Sequence, residues 1–341
     1  MAKKKKVELY KKVDRIEVHI WGKFVGAVAL DPSLGYYVFA FDKAFGKSAV
    51  QLSPIHMISD DTERPYVFTD LPEATYKRLP ALLADALPDD FGNALIDRYL
   101  ADKGIPKSEI TSLDRLAYMG KRAMGALEFK PTRGPKNIKP SALEMNELVL
   151  EARRAVKGTI GSDDHANATL RSIIEVGTSA GGARAKAVIA WNPETVEIRS
   201  GQVDVPEGFE HWLLKFDGIG KDRELGAGEQ YGRIEYAYHL MAKEVGIHMS
   251  ECRLLQENGR AHFMTKRFDR EQGHIKHHTQ TLCATDHLDY KKKSTNSYEQ
   301  FFMTIRQLGL GHPAEVEAFR RMAFNIMGRN CDDHTKNISF L

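Results

Sequence analysis

Between residues 177 and 337, strand-like and helix-like patterns follow one another in an order that restricts the fold more than any other feature of the chain. A glycine-rich turn at 177–183 comes first. The elements after it are strands at 187–190 and 211–216, a helix at 234–245, a strand at 261–268 and further helices, the last ending at Gly328. A polar loop follows that helix at once. Any proposed fold must accommodate this sequence of elements.

The first 130 residues have a pattern of their own. Apolar residues alternate over 16–20 and are followed by Gly22, which predicts a hairpin, and the aromatic run at 36–41 predicts a further strand. Between about 72 and 125 the apolar spacing becomes helical. The segment 130–136 is polar and rich in proline and glycine, so it is the best candidate for a linker.

Composition excludes several classes of protein. The 341 residues are 42% hydrophobic and 28% charged with a net charge of +3, which is ordinary for a soluble globular protein and demands no nucleic-acid partner. No apolar run approaches the roughly 20 residues of a membrane span, and the N-terminus lacks the apolar region of a signal peptide. Three cysteines give no disulfide framework. We therefore expect a cytoplasmic protein with no membrane contact.

The polar loop after the last helix contains two residues with a meaningful spacing. Asp332 and Asn337 are separated by four residues, as are the catalytic base and the magnesium-binding asparagine of protein kinases. His334 and Lys336 lie between them. A solvated loop that caps a helix explains the same spacing equally well, so the pattern alone leaves both interpretations open.

A lysine and a glutamate form a second candidate pair. Lys215 lies in an otherwise apolar strand, where an amine is costly unless it reaches water or a carboxylate. Glu235 follows about twenty residues later at the start of the predicted helix, the place of the helix glutamate in the kinase ion pair. An edge-strand lysine with its amine in water is the alternative interpretation.

The glycine-rich turn excludes two nucleotide-binding motifs. Gly177 and Gly182 have Walker-like spacing, but Ala183 and Arg184 stand where that motif requires lysine and serine or threonine. The dinucleotide fingerprint also fails, because Gly218 and Gly220 have no third glycine at the right place. A hairpin turn that needs glycine for its backbone conformation remains the simple alternative.

Several motifs together resemble one family, the bacterial HipA-type serine/threonine kinases, which are toxins of toxin–antitoxin pairs. The resembling segments are 177–186, the strand ending in Lys215, Glu235 with its neighbours, 266–270, 329–337 and 124–129. The resemblance covers nearly the whole chain. It implies an α+β fold, with a small mixed α/β N-terminal domain over 1–130 and a protein-kinase-like two-lobed domain over 131–341.

The resemblance also implies roles for individual residues, with ATP and Mg²⁺ as cofactors. Ser179 would be the autophosphorylated serine, in a phosphate loop with Gly181 and Gly182. Lys215 would contact ATP phosphates and pair with Glu235. Asp332 would be the catalytic base and Asn337 a magnesium ligand. The remaining ATP-binding residues would be Lys266 and Phe268 at the adenine, Asp269 at the ribose, and His334 and Lys336 in the catalytic loop.

Partners follow from the same resemblance. The family expectation is a HipB-like helix-turn-helix antitoxin, operator DNA reached through that complex, and glutamyl-tRNA synthetase as the protein substrate. The family has a second magnesium-binding aspartate beyond the loop, which has no counterpart before Leu341. We therefore expect an incomplete C-terminal lobe and negligible activity for residues 1–341 alone. A catalytically dead co-repressor module and a metabolite or lipid kinase are the alternatives.

Overall fold

The N-terminal part of the chain is built around a four-stranded antiparallel sheet in the order β3-β2-β1-β4. Its strands are β1 (Arg15–Ile20), β2 (Lys23–Asp31), β3 (Tyr36–Phe41) and β4 (Leu127–Lys130). The computed structural model describes residues 11–88, 90–134, 148, 186–202, 205–217, 230–257, 259–272, 274–292 and 294–341. The predicted hairpin and third strand are confirmed, and the inward residues of β1 are fully buried.

Short helices pack around this sheet, and all but the first lie in the stretch from about 72 to 125 that was predicted to be helical. They are α1 (Lys43–Gly46), α2 (Glu73–Tyr76), α3 (Ala81–Ala84), α4 (Asp90–Ala101) and α5 (Ser112–Met119). Helix α5 begins with a capping box: the Thr111 hydroxyl accepts from the Asp114 amide, and the Asp114 carboxylate accepts from the Thr111 amide. The buried side chains of α5 pack with those of β1 and β4 in one core.

The second sheet has five antiparallel strands in the order β6-β5-β7-β9-β8. The strands are β5 (Lys186–Trp191), β6 (Ile198–Ser200), β7 (Glu210–Lys215), β8 (Cys252–Glu257) and β9 (Arg260–Lys266). All three strands predicted in this half are present. Trp212, Leu214 and Phe216 are buried on one face as predicted.

Helix α6 (Tyr231–Glu244) packs against β8 and β9. Its approach is close because of Gly232, where an added Cβ would lie 2.0 Å from the carbonyl oxygen of Ala261 on β9. Gly246, in the left-handed region at φ 78°, follows the end of the helix as predicted. The glycine at position 232 therefore fixes how near the first turn of α6 lies to the sheet.

The last third of the described chain is mainly helical. Short strand pairs flank α7 (Leu282–Thr285), α8 (Tyr298–Gln307) and α9 (Gly311–Met327); they are β10 (Arg270–Glu271) with β11 (Ile275–Lys276), and β12 (Gln280–Thr281) with β13 (Ser339–Phe340). The predicted end of α9 at Gly328 is confirmed. The loop between α9 and β13 begins at the end of a helix, and it ends at a strand that is paired with β12. Both ends of the loop are therefore held by regular secondary structure.

Helices α6 and α9 leave large apolar side chains exposed. They are Met241 on α6, Val245 directly after it, and Phe319 and Ile326 on α9. Helical spacing thus predicted the helices correctly without indicating which face is covered. None of the helices in the described part of the chain is long and apolar enough to span a bilayer.

Candidate nucleotide and phosphotransfer site

Lys215 and Glu235 form the predicted ion pair between strand and helix. Lys215 is the last residue of β7, and Glu235 lies on the first turns of α6. Lys215 Nζ donates to Glu235 Oε2 at 2.5 Å, with the side chains 34% and 26% exposed. The close approach of α6 at Gly232 brings the glutamate within reach. The pair is partly solvated, so its amine is held in place and is still accessible to a ligand.

A second lysine lies directly beside this pair. Lys186 on β5 is the cross-strand neighbour of Lys215 and is buried. Two lysines at one cross-strand position repel each other unless acidic or anionic groups lie nearby. Lys186 is the last residue of the segment 177–186 and had no predicted role. Its position at the first residue of a strand, in register with Lys215, becomes apparent only from the pairing of the strands.

The predicted catalytic loop presents Asp332 to solvent. The Asp332 side chain is 86% exposed, and its Oδ1 lies 3.6 Å from Nε2 of His334. The backbone of the loop is held more firmly: the side-chain amide of Asn337 donates to the Asp332 carbonyl at 2.7 Å, and the Thr335 hydroxyl donates to the carbonyl of Leu288 at 2.7 Å. The loop therefore has a fixed course with its carboxylate directed outwards.

His334 and Lys336 pack on one aromatic ring. The ring centroids of His334 and Tyr290 are 5.1 Å apart, and Lys336 Nζ lies 5.6 Å from the centroid of the same tyrosine. This distance is within the range of a cation–π contact. Tyr290 was not predicted as a site residue, and its contribution is to fix two of the predicted ones.

Tyr238 connects the ion pair with the loop. Its hydroxyl donates to the carbonyl of Gly328 at 2.5 Å, and its ring packs edge-on against Phe324 of α9. Glu235 and Tyr238 are three residues apart on α6, so they are neighbours on one face of the helix. One helix face thus carries both the partner of Lys215 and an anchor for the end of α9, four residues before Asp332.

Lys266 and Phe268 lie at and just beyond the end of β9. The amine of Lys266 is paired with Glu210 across the sheet on β7. The Phe268 side chain is 47% exposed, although it belongs to a short loop between buried neighbours. Adenine contacts through the backbone of these two residues stay a prediction.

Asp269 is set apart from the other predicted site residues. It is fully buried, and its carboxylate accepts hydrogen bonds from Arg267 at 2.8 and 2.6 Å, from Arg270 at 2.8 Å and from the amide of Gly125 at 2.7 Å. Burial opposes its ionisation, but the two guanidinium groups and the Gly125 amide outweigh burial and hold the pKa of Asp269 at about 2.

The same cluster joins the two parts of the molecule. Arg270 also donates to the carbonyl oxygens of Gly125 and Ala123, at 3.0 and 3.1 Å. Asp269 therefore anchors the loop before β4 to the segment after β9. A ribose hydroxyl could bind its carboxylate only by replacing one of these bonds, so the ribose contact stays a prediction without support from the observed geometry.

Three predicted residues, Ser179, Gly181 and Gly182, lie outside the described residues. The described part of the chain contains no group of three or more histidine, cysteine, aspartate or glutamate side chains arranged to hold a metal ion. A magnesium site at Asn337 would thus rely on one or two protein ligands and on substrate oxygens, which is usual for Mg²⁺ in nucleotide sites.

Comparison with known proteins identifies the family. Residues 178–341 match the family model of the HipA-like C-terminal domain, and residues 16–130 match that of the HipA N-terminal domain. A protein chain in the complex of the Shewanella oneidensis MR-1 toxin–antitoxin proteins HipA and HipB with operator DNA is also similar. It has a TM-score of 0.63 and 16% identity over 95% of this chain and 72% of that chain. The comparison with curated proteins gives no match.

The two sheets, the strand-to-helix ion pair and the helical C-terminal part define a kinase-like α+β fold, as the sequence analysis expected. With both domain models matched along most of its length, the chain belongs to the HipA family. The predicted division between its domains at residue 130 falls at the end of β4 and stays a prediction.

Proposed function

We propose that this protein is a HipA-like serine/threonine protein kinase that transfers the γ-phosphoryl group of ATP to a protein hydroxyl. The observation that carries the proposal is the ion pair between Lys215 and Glu235, at 2.5 Å across β7 and α6. A lysine held in this way on the middle strand of an antiparallel sheet is the arrangement that kinases use to bind nucleotide phosphates. Tyr238 ties the same helix to the loop that carries Asp332.

The residues present suit a magnesium nucleotide. Asn337 and Asp332 offer hard oxygen atoms at the surface of one loop. Within the described residues, Nδ1 of His334 is buried without a hydrogen-bond partner, so a polar group in this loop is left for a ligand. When bound, Mg–ATP supplies the phosphoryl group and the divalent charge that offsets its oxygens.

Each residue then has a defined task. Lys215 neutralises phosphate charge and Glu235 holds its amine in place. Asp332 accepts the proton of the attacking serine or threonine hydroxyl, for which its exposed carboxylate is accessible. Asn337 would hold the metal ion, while Lys336, fixed on Tyr290 beside His334, would add positive charge to the loop.

Regulation and partners complete the proposal. Autophosphorylation of Ser179 in a loop with Gly181 and Gly182 would add about two negative charges and displace that loop. As a member of the HipA family, the protein would act as a toxin in the bacterial cytoplasm, bound by a HipB-like antitoxin on operator DNA. The support is family membership and the similar chain in the HipA–HipB–DNA complex. Glutamyl-tRNA synthetase is the proposed substrate.

The test uses full-length protein with labelled ATP and Mg²⁺, alone and with glutamyl-tRNA synthetase. Label should appear on Ser179 and on the synthetase. Changing the base in Asp332→Asn should lower transfer by about 10² to 10⁴-fold, and Lys215→Met by about 10² to 10³-fold, since it removes a phosphate-binding charge. The matched control is Lys43→Met, which removes an exposed lysine paired with Glu63 in the N-terminal part of the molecule. Equal label in wild type and Asp332→Asn would contradict the kinase proposal.

A second candidate is a co-repressor module that binds the antitoxin without phosphoryl transfer. The engagement of Asp269 inside the protein favours it, because a predicted ribose ligand is already satisfied. Co-purification with a helix-turn-helix protein, with no label transferred under any of the conditions above, would support this candidate. Transfer that depends on Asp332 would exclude it.

A further inference from the structure

A chain of hydrogen bonds connects two helices with the loop around Asp332. Tyr298, the first residue of α8, donates its hydroxyl proton to Oδ2 of Asp333. The same hydroxyl oxygen accepts a hydrogen bond from the side-chain amide of Asn325 on α9, at 3.0 Å. The Tyr298 hydroxyl therefore acts as donor and acceptor at once, and phenylalanine at this position would lose both bonds.

The chain continues on the other side of the catalytic residue. Oδ1 of Asn325 accepts from the side-chain amide of Asn330 at 3.1 Å, and Oδ1 of Asn330 accepts from the backbone amide of Asp332 at 3.2 Å. Asp332 is thus held from two directions, through its own amide by Asn330 and through the neighbouring carboxylate by Tyr298. We call Tyr298, Asn325, Asn330 and Asp333 the loop-anchoring network.

Besides this network, Asp332 is held through its carbonyl, which accepts from the side-chain amide of Asn337. Its side chain is 86% exposed, and an exposed loop residue samples many orientations unless its backbone is fixed. A general base must lie within hydrogen-bond reach of the hydroxyl it deprotonates, so small displacements are costly to the rate. The first turn of α8 and the last turn of α9, two packed helices, provide the rigid elements from which such a loop can be held.

We propose that Tyr298 and Asn325 are positioning residues for Asp332, and that they present its carboxylate to the attacking hydroxyl through Asp333 and Asn330. This proposal rests on the proposed kinase function. It assigns a role to two side chains on α8 and α9 whose hydrogen bonds go to each other, to Asp333 and to Asn330.

Two properties of Tyr298 fit this role. Its burial first, and then its hydrogen bond to Asp333, raise the pKa of Tyr298 to about 12, so the hydroxyl remains a donor at any physiological pH. Helix α8 is itself fixed at this end by a capping box between Ser297 and Gln300. The Tyr298 hydroxyl therefore keeps its proton, and α8, which carries it, begins at a defined residue.

A merely structural role makes a different prediction. If the network only closed the C-terminal end of α9, its loss would lower stability and leave the chemical step of the folded enzyme unchanged. If it positions Asp332, its loss lowers kcat while the Michaelis constant for ATP stays the same, since Lys215 and Glu235 are untouched.

The first experiment measures ADP formation from Mg–ATP, with glutamyl-tRNA synthetase as the phosphoryl acceptor, by full-length protein carrying Tyr298→Phe. We expect kcat to fall about tenfold, with KM for ATP within about twofold of wild type, since phenylalanine loses the hydrogen bonds to Asp333 and Asn325 and leaves Lys215 and Glu235 unchanged. Tyr99→Phe is the matched control: its hydroxyl donates to the carbonyl of Arg133 in the N-terminal part of the molecule. An unchanged kcat in Tyr298→Phe would overturn the proposal.

A double-mutant cycle separates action through Asp333 from a general loss of stability. Tyr298→Phe, Asp333→Ala and the combination are compared under the same conditions; alanine is used because the amide oxygen of asparagine would still accept from Tyr298. If Tyr298 acts through Asp333, the loss in the double variant is smaller than the sum of the two single losses. Fully additive losses would show that the two residues act independently and would overturn the proposal.

Hydrogen exchange distinguishes failure of this inference from failure of the kinase proposal. Amide exchange over 330–337 should be faster in Tyr298→Phe than in wild type, and unchanged in Tyr99→Phe. If wild type forms no ADP above the level of Asp332→Asn, the kinase proposal fails. Amide exchange alone then tests whether Tyr298 anchors the loop. Faster exchange then supports the anchoring of the loop, and equal exchange overturns it.

Discussion

Asp269 and Asp332 occupy opposite environments in the same half of the molecule. Asp269 is fully buried and accepts hydrogen bonds from two arginines and one backbone amide. Asp332 is 86% exposed, and its Oδ1 lies 3.6 Å from one histidine. An ionised carboxylate that is saturated within the protein stabilises the fold, whereas one that faces solvent remains able to accept a proton or bind a cation. Burial and hydrogen bonding therefore separate a structural from a chemical aspartate.

The same substitution at the two positions should give opposite results, and the larger effect is expected at Asp332. We expect Asp332→Asn to lower phosphoryl transfer by about 10² to 10⁴-fold, because the amide cannot accept the proton of the attacking hydroxyl. Its free energy of unfolding should stay within about 0.5 kcal/mol of wild type, as for other exposed positions. Labelled ATP and urea denaturation measure the two quantities. A large loss of stability would show that Asp332 is structural as well.

Asp269→Asn should affect stability first. The substitution leaves Arg267 and Arg270 buried without their countercharge, which costs about 3 to 5 kcal/mol when one partner of a buried pair is removed. The midpoint of urea denaturation should fall accordingly, and fluorescence or circular dichroism can follow it. The control is Asp332→Asn measured in parallel. If Asp269→Asn were stable but had lost affinity for ATP, the ribose role would be supported instead.

The pH dependence of stability sharpens the same comparison. The pKa of Asp269 is about 2 in the folded protein and has an ordinary value of 3.8. Because the folded-state pKa is lower, the ionised carboxylate stabilises the fold above about pH 4, and this stabilisation is lost as the pH falls from about 4 towards 2. The contribution amounts to about 2 kcal/mol. Urea denaturation between pH 6 and 2 should show this extra loss in wild type and not in Asp269→Asn.

The difference in burial between Asp269 and Asp332 could not be predicted from the sequence. Both follow a predicted element and both lie in short polar stretches, and the family resemblance assigned both to the active site, Asp269 to the ribose and Asp332 as the catalytic base. The burial of Asp269 depends on Gly125, 144 positions earlier in the chain. Such long-range packing leaves no local pattern. Likewise, the spacing of apolar residues predicted α6 and α9 but did not indicate that Met241 and Phe319 are exposed.

Local sequence patterns predicted correctly those strands and helices that depend mainly on neighbouring residues. The apolar strand pattern predicted β7 with Lys215 in it, and helical spacing predicted the helix that carries Glu235. The pair follows from these two elements and a close approach at Gly232. Lys186 was missed because its relation to Lys215 is a matter of strand register, and the loop-anchoring network was missed because Tyr298 lies 35 positions from Asp333.

The smallest expected effect concerns the stability contributed by Lys215, whose partly exposed ion pair lies between the two extremes set by Asp269 and Asp332. Its side chain and that of Glu235 are 34% and 26% exposed, so water screens their attraction. We expect Lys215→Met to change the free energy of unfolding by no more than about 1 kcal/mol, far less than Asp269→Asn. Urea denaturation of Lys215→Met and Lys266→Met gives the comparison. A loss near that of Asp269→Asn would mean that the pair between β7 and α6 holds the fold together, and the reduced phosphoryl transfer expected of Lys215→Met could then no longer be attributed to a lost phosphate contact.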